Sequence, residues 1–132
     1  MTFLDTSTLV EAVLEKHPQH EACRTALGHP KPFSNGHALA ETFATLTGFY
    51  KVPPEAASEL TLGLEQAITI EMMTLADYET AISEARQRGV MGGGIYDSLH
   101  ATFARRKGAK RIVTRNPSHF AHVAPELEIL TP

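Results

Sequence analysis

The sequence predicts an α/β protein in which a parallel sheet is covered by helices on both faces. Two observations predict it. Short apolar runs alternate with segments whose apolar residues recur at helical spacing, the pattern of strand–helix–strand units. No internal repeat, low-complexity tract or long linker divides the chain, and 132 residues with 42% hydrophobic and 20% charged residues suit a single domain over 1–132 with one core.

Thr2-Phe3-Leu4-Asp5 reads as a short first strand. Thr8 and Glu11 then stand at N-cap and N3 of a capping box, and Leu9, Val10, Val13 and Leu14 carry the helix to about Lys16. Pro18 opens a second helix at a position that tolerates proline. That helix carries Ala22, Ala26 and Leu27 and stops near Gly28. Pro32-Phe33-Ser34 is a weak second strand. Ser34 or Asn35 caps a helix with the stripe Leu39, Phe43, Leu46, which ends near Gly48. Pro53 or Pro54 begins another, with Leu60, Leu64 and Ala67 on its inner face. The β-branched run from Ile68 to Met72 is the third strand. Thr74 and Asp77 form the next capping pair, and Leu75, Tyr78, Ile82 and Ala85 form the expected buried stripe. Gly92-Gly93-Gly94 breaks the chain before a helix that puts Ile95, Leu99 and Phe103 in the core and ends at Gly108. Lys110 to Thr114 is the fourth strand, and a helical turn covers Pro117 to His122. Glu128-Ile129-Leu130 is an edge strand shielded by Pro132.

Composition excludes several classes. The apolar fraction is too high and the net charge of −3 too small for a disordered chain. Cys23 is the only cysteine, so no intramolecular disulfide forms and a reducing compartment is expected; its reading is a small buried hydrophobe rather than a nucleophile. The start Met1-Thr2-Phe3-Leu4-Asp5 lacks a basic leader, and no apolar run approaches the ~18 residues of a membrane span, so a cytoplasmic protein is expected. The charge is unevenly spread. Arg86, Arg88, Arg105, Arg106, Lys107, Lys110, Arg111 and Arg115 share their stretch with a single acid, Asp97. This asymmetry permits a basic face for phosphates beside an acidic pocket for cations; solvated helix ends are an equal reading for Arg105, Arg106 and Lys107.

Asp5 is the most informative residue, because it ends an apolar strand and precedes a helix. In an open α/β sheet, sites collect at the carboxyl ends of strands. A carboxylate there is a metal ligand, a nucleophile or a helix cap; Thr6, Ser7 and Thr8 already offer hydroxyl caps, which favours ligand over cap. Asp97 lies in the first turn of its helix, about 200° around from Leu99, so it stands off the core stripe. The small Ala101 and Ala104 near it permit another element to approach. Glu41 points away from the stripe Leu39, Phe43, Leu46 and reads by periodicity as a solvated residue. Asn116 follows the fourth strand and offers a carbonyl oxygen to a hard cation or its water, although Asn116-Pro117 is equally a turn or cap signal.

Four segments resemble the PIN domain, and more narrowly the VapC-type toxins of toxin–antitoxin pairs. They are Phe3-Leu4-Asp5-Thr6-Ser7, Ala40-Glu41, Gly93 to Ala101 with its Ile-Tyr-Asp-Ser-Leu core, and Thr114-Arg115-Asn116-Pro117-Ser118-His119-Phe120. The resemblance spans nearly the whole chain in order. It implies a three-layer α/β/α sandwich with a parallel sheet of about five strands. It also implies Mg²⁺- or Mn²⁺-dependent endonucleolytic cleavage of RNA, a homodimer, and a small antitoxin partner. Asp5, Glu41 and Asp97 match the family's acidic positions. Asn116 stands where many members carry a fourth acid, and Gly94 where relatives often carry a basic residue. On this footing Asp5, Asp97 and Glu41 are the expected metal ligands, and Ser7 and Thr114 support them by hydrogen bonds. Arg115, Arg105 and Arg106 are the expected RNA-phosphate donors.

Other chemistries fit less well. A haloacid-dehalogenase-type phosphatase needs a second Asp two residues after Asp5, where Ser7 stands. A dinucleotide fold needs glycines where Asp5-Thr6-Ser7-Thr8 stands, and Gly92-Gly93-Gly94 lacks the Lys and Ser/Thr of a phosphate loop. His17 with His20, and His119 with His122, have one-face spacing for zinc but lack a third ligand, and read as surface histidines. The remaining rival is an interaction module that keeps the fold and has lost catalysis.

Overall fold

A computed structural model describes all 132 residues. Five strands form one sheet: β1 (Thr2–Leu4), β2 (Pro32–Asn35), β3 (Thr69–Glu71), β4 (Arg111–Val113) and β5 (Glu128–Leu130). The helices are α1 (Thr6–Val13), α2 (His20–Ala26), α3 (Gly36–Gly48), α4 (Pro54–Gly63), α5 (Leu75–Glu84), α6 (Gly94–Arg106) and α7 (Pro117–Ala121). All pairings are parallel, in the order β3-β2-β1-β4-β5. From β1 the chain winds outward through β2 and β3, then crosses back to lay β4 and β5 on the other side. The carboxyl ends of β1 and β4 therefore flank a topological switch point, where the connecting helices diverge and leave a crevice.

The pleat sorts the core. Phe3 and Ile112 face one side with Phe33, Phe103 and Phe120, under α6 and α7. Leu4 and Val113 face the other with Leu9, Ala26 and Ala38, under α1, α2 and α3. Helix α6 is buried from Ser98 through Ala104, so Ala101 and Ala104 do let it lie close to the sheet. No helix is long and apolar enough to cross a membrane.

Several local expectations need correction. Helix α1 begins at Thr6 and ends at Val13, with Asp5 rather than Thr8 at its N-cap. Thr8 lies inside the first turn of the helix, and its hydroxyl donates to the Val113 carbonyl at 3.1 Å. Helix α2 starts at His20, two residues after Pro18. Asn35 is the cap of α3, its Oδ1 accepting from the Ala38 N–H at 2.8 Å. The buried face of α3 is Ala38, Thr42 and Leu46, while Leu39 and Phe43 are only half-buried. Small and hydroxylic residues can pack as tightly as leucines but leave no hydropathy signal. Ala67 is exposed.

The largest departure is α5. Its capping box is present, but Leu75 and Ile82 are 75% and 64% exposed, and Tyr78 is also exposed. The inner face is Asp77 and Ala81 instead. Arg106 reaches both Asp77 carboxylate oxygens, at 2.6 and 2.8 Å, and ties α5 to α6. A satisfied ion pair and a small alanine let this face go inward, and the apolar stripe is left outward.

Candidate active site

Asp5 stands just past β1, its N–H bonded to the Val113 carbonyl at 3.0 Å and its carbonyl accepting from Thr8 and Leu9. Its backbone thus caps α1 while its carboxylate is spared that duty. Oδ2 accepts from the hydroxyls of Ser7 at 2.8 Å and Thr114 at 2.9 Å. Those hydroxyls accept in turn from the backbone N–H groups of Arg115 at 2.9 Å and Asn116 at 3.0 Å. The turn after β4 therefore clamps both hydroxyls and aims their protons at one oxygen of Asp5. Oδ1 receives no hydrogen bond from the protein, and the residue is 5% exposed.

Asp97, in the first turn of α6, faces the same crevice. Burial and then the charge of Asp5 push its pKa up to about 6, against relief from His119, whose Nδ1 lies 3.4 Å from Oδ2. Glu41 comes from α3 and lies beside the buried row Ala38, Thr42, Leu46 rather than opposite it. Its Oε1 accepts from His100 Nε2 at 2.6 Å and the Thr6 hydroxyl at 3.2 Å, and His37 Nε2 lies 3.6 Å away. Burial works against the charged form of Glu41, but His100, His37 and Thr6 outweigh it and hold the pKa below the ordinary range.

Asp5, Glu41, Asp97 and Asn116 line one cleft of about 570 Å³. Ser7 and Arg115 line it too, and Thr114 supports it from beneath. Asn116 is exposed, and its side chain makes no cap bond to α7. A second groove of about 540 Å³, with Val13, Leu14, Tyr50, Val52 and Leu60, is mainly apolar and holds none of the three acids.

The basic residues fare differently. Arg105 bonds the Val123 carbonyl and pairs with Glu126, and Arg106 pairs with Asp77. Both lie at the far end of α6, about 12–14 Å along its axis from Asp97, so the structure does not bring them to the cleft. Lys107 pairs with Glu71, Arg111 with Glu128 and Arg88 with Glu84. The basic stretch is thus largely neutralised by acids from other elements. Arg115 does reach the cleft, its Nε 2.8 Å from Glu11 Oε2 but without an aligned hydrogen bond.

Sequence reasoning missed His100, His37 and Thr6 around Glu41. His100 had a signal, since it stands three residues after Asp97 and shares its helix face. Of the supposed surface histidines, His20 is instead buried against the Glu11 carbonyl, while His119 is exposed as expected and lies beside Asp97. Cys23 is buried as expected, its thiol against Glu11 and its pKa pushed up to about 12 by burial.

Known proteins resemble the chain in sequence and in fold. Ribonuclease VapC27 of Mycobacterium tuberculosis is 28% identical over 105 residues, which cover 76% of this chain and 74% of that one. The solved structure of VapC20 from the same organism, a sarcin–ricin loop cleaving toxin, superposes with a TM-score of 0.76 at 18% identity, covering 92% and 94% of the two chains. VapBC2 from Rickettsia felis, solved with a DNA fragment from its promoter, gives 0.73 at 19% identity over 99% and 98%. The PIN domain profile matches residues 2–125, and the chain belongs to the PIN domain family.

Proposed function

We propose that the chain is a divalent-metal-dependent endoribonuclease, the toxin of a toxin–antitoxin pair, which hydrolyses RNA phosphodiester bonds at this cleft. The observation that carries the reading is the pair Asp5 and Asp97. Two elements bring two carboxylates to one crevice, and burial and then the charge of Asp5 raise the Asp97 pKa to about 6 in spite of His119 and His100. Such a cluster is costly unless something positive enters. The donors are oxygens, suited to Mg²⁺ or Mn²⁺, and the one thiol is buried elsewhere.

Asp5 and Asp97 would hold the cation through oxygens the protein leaves free. No three acidic, His or Cys side chains stand at metal-holding spacing, and Glu41 is turned toward its histidines. Glu41, kept ionised, would orient the attacking water. A bound cation would neutralise charge on the scissile phosphate and make that water more acidic. Ser7 and Thr114 fix the Asp5 carboxylate by hydrogen bonds, and Asn116 is a neutral group at the rim. Arg115 would bind a flanking phosphate.

The similarity to VapC27 and the fold shared with VapC20 and VapBC2 support this reading, as does the pairing of two components in VapBC2 for a cognate antitoxin. The exposed Leu75, Tyr78 and Ile82 offer a surface for a second copy of the chain. Incubation with total RNA plus Mg²⁺, or plus EDTA, followed by mapping of cut ends, tests the function. Discrete metal-dependent cuts are expected. Absence of cleavage with both Mg²⁺ and Mn²⁺ would leave only the interaction-module reading.

A further inference from the structure

One buried titratable side chain at the cleft has no part in the chemistry above. His100 is 1% exposed and bonded on both ring nitrogens. Its neighbours decide where its proton sits. Asn35 caps α3, and its Oδ1 is committed to the Ala38 N–H at 2.8 Å. Its amide nitrogen therefore faces His100 Nδ1, at 2.9 Å. An NH₂ group only donates, so Nδ1 accepts and carries no proton. The ring proton is on Nε2, aimed at Glu41 Oε1, which accepts at 2.6 Å.

We propose that His100 is a positioning residue for Glu41, locked as the Nε2–H tautomer by the amide of Asn35. The effect is to divide the work of the Glu41 carboxylate. Oε1 is saturated by His100 and Thr6, while Oε2 receives no hydrogen bond from the protein and is the oxygen left for the cleft. The ring cannot readily turn, because Phe3 packs at 5.5 Å and His37 at 5.8 Å between centroids. A helix cap at the end of β2 thus sets the orientation of a carboxylate on α3 through a histidine on α6. The role given to Glu41 rests on the proposed function; the tautomer does not.

Nitrogen-15 NMR of the metal-free, histidine-labelled protein reads the tautomer, with His100 assigned by the signal lost in His100→Gln. At neutral pH, Nδ1 is expected to be unprotonated and Nε2 protonated. An Nδ1–H tautomer, or protons on both nitrogens, overturns the proposal. Asn35→Ser keeps a capping hydroxyl but removes the amide. It is expected to mix the tautomers and to lower kcat for RNA cleavage about 10- to 100-fold, with KM unchanged. An undisturbed Nε2–H tautomer in folded Asn35→Ser removes Asn35 from the proposal. Should that variant not fold, the wild-type spectrum still decides. A wild-type protein that cuts no RNA with any divalent cation defeats the functional reading and leaves the tautomer result to stand on its own measurement.

Discussion

The two ends of α6 treat charge in opposite ways. At its first turn Asp97 faces Asp5, like charges relieved in part by the exposed His119 and by His100. At its last turn Arg106 forms a two-point pair with Asp77, Arg105 meets Glu126, and Lys107 meets Glu71. Burial works against the Asp77 carboxylate, but Arg106 and Thr74 outweigh it and hold the pKa below the ordinary range. One end of the helix is built for stability, and the other gives up stability for a site. The difference follows from the sheet: carboxyl ends of strands at a switch point open a crevice, and the opposite edge does not.

Four experiments break or sharpen this contrast. Asp97→Asn carries the largest effect. Loss of a group proposed to hold the cation should remove several kcal/mol of transition-state stabilisation, about 10³-fold in cleavage rate, with the fold intact by circular dichroism. Undiminished activity in a preparation free of contaminating nuclease would sink the assignment.

Arg106→Met acts at the other end. It strands a buried Asp77, and because Arg106 is itself partly exposed the cost is about 1–3 kcal/mol in denaturant melts. Cleavage per folded molecule should not change. A fall in RNA affinity instead would return Arg106 to the RNA surface.

The third experiment uses the raised pKa of Asp97. The folded state favours its neutral form, so this group stabilises the protein fully below the unfolded pKa of 3.8 and progressively less as pH rises through about 6. In EDTA, Asp97→Asn should therefore be more stable than wild type by about 1 kcal/mol at pH 7.5, after allowance for solvent at the cleft mouth. The gap should close near pH 4 and shrink when Mn²⁺ is added. Equal melting curves at both pH values would show that neither burial nor the charge of Asp5 raises the Asp97 pKa. The smallest effect belongs to Arg111→Gln, whose exposed pair with Glu128 should contribute less than about 0.5 kcal/mol by the same melts.

Much of the fold was legible because its signals are local. The strands around Phe3, Ile112 and Ile129 read correctly within a residue or two, and Asp5 and Asp97 were marked by their positions at a strand end and a helix start. Glu41 was not. Its helix buries Ala38 and Thr42, which hydropathy does not flag, so the expected inner face is one residue out of register there, sharing only Leu46. Helix α5 failed for the converse reason: Leu75, Tyr78 and Ile82 are the only apolar stripe it has, yet Asp77 goes inward because Arg106, 29 residues away, satisfies it.

The sequence by itself determined the alternation of strands and helices, and the two acids that end or begin an element. Both follow from periodicity and chain direction, which neighbouring residues carry. Only the tertiary structure decided which basic residues remain free, which face of α5 is inside, and how His100 orders Glu41. Each of these depends on a partner distant in the sequence: Glu126 for Arg105, Arg106 for Asp77, Asn35 for His100. Hydrogen bonds and ion pairs between such groups act within about 3–4 Å, a proximity that exists only once the sheet has assembled.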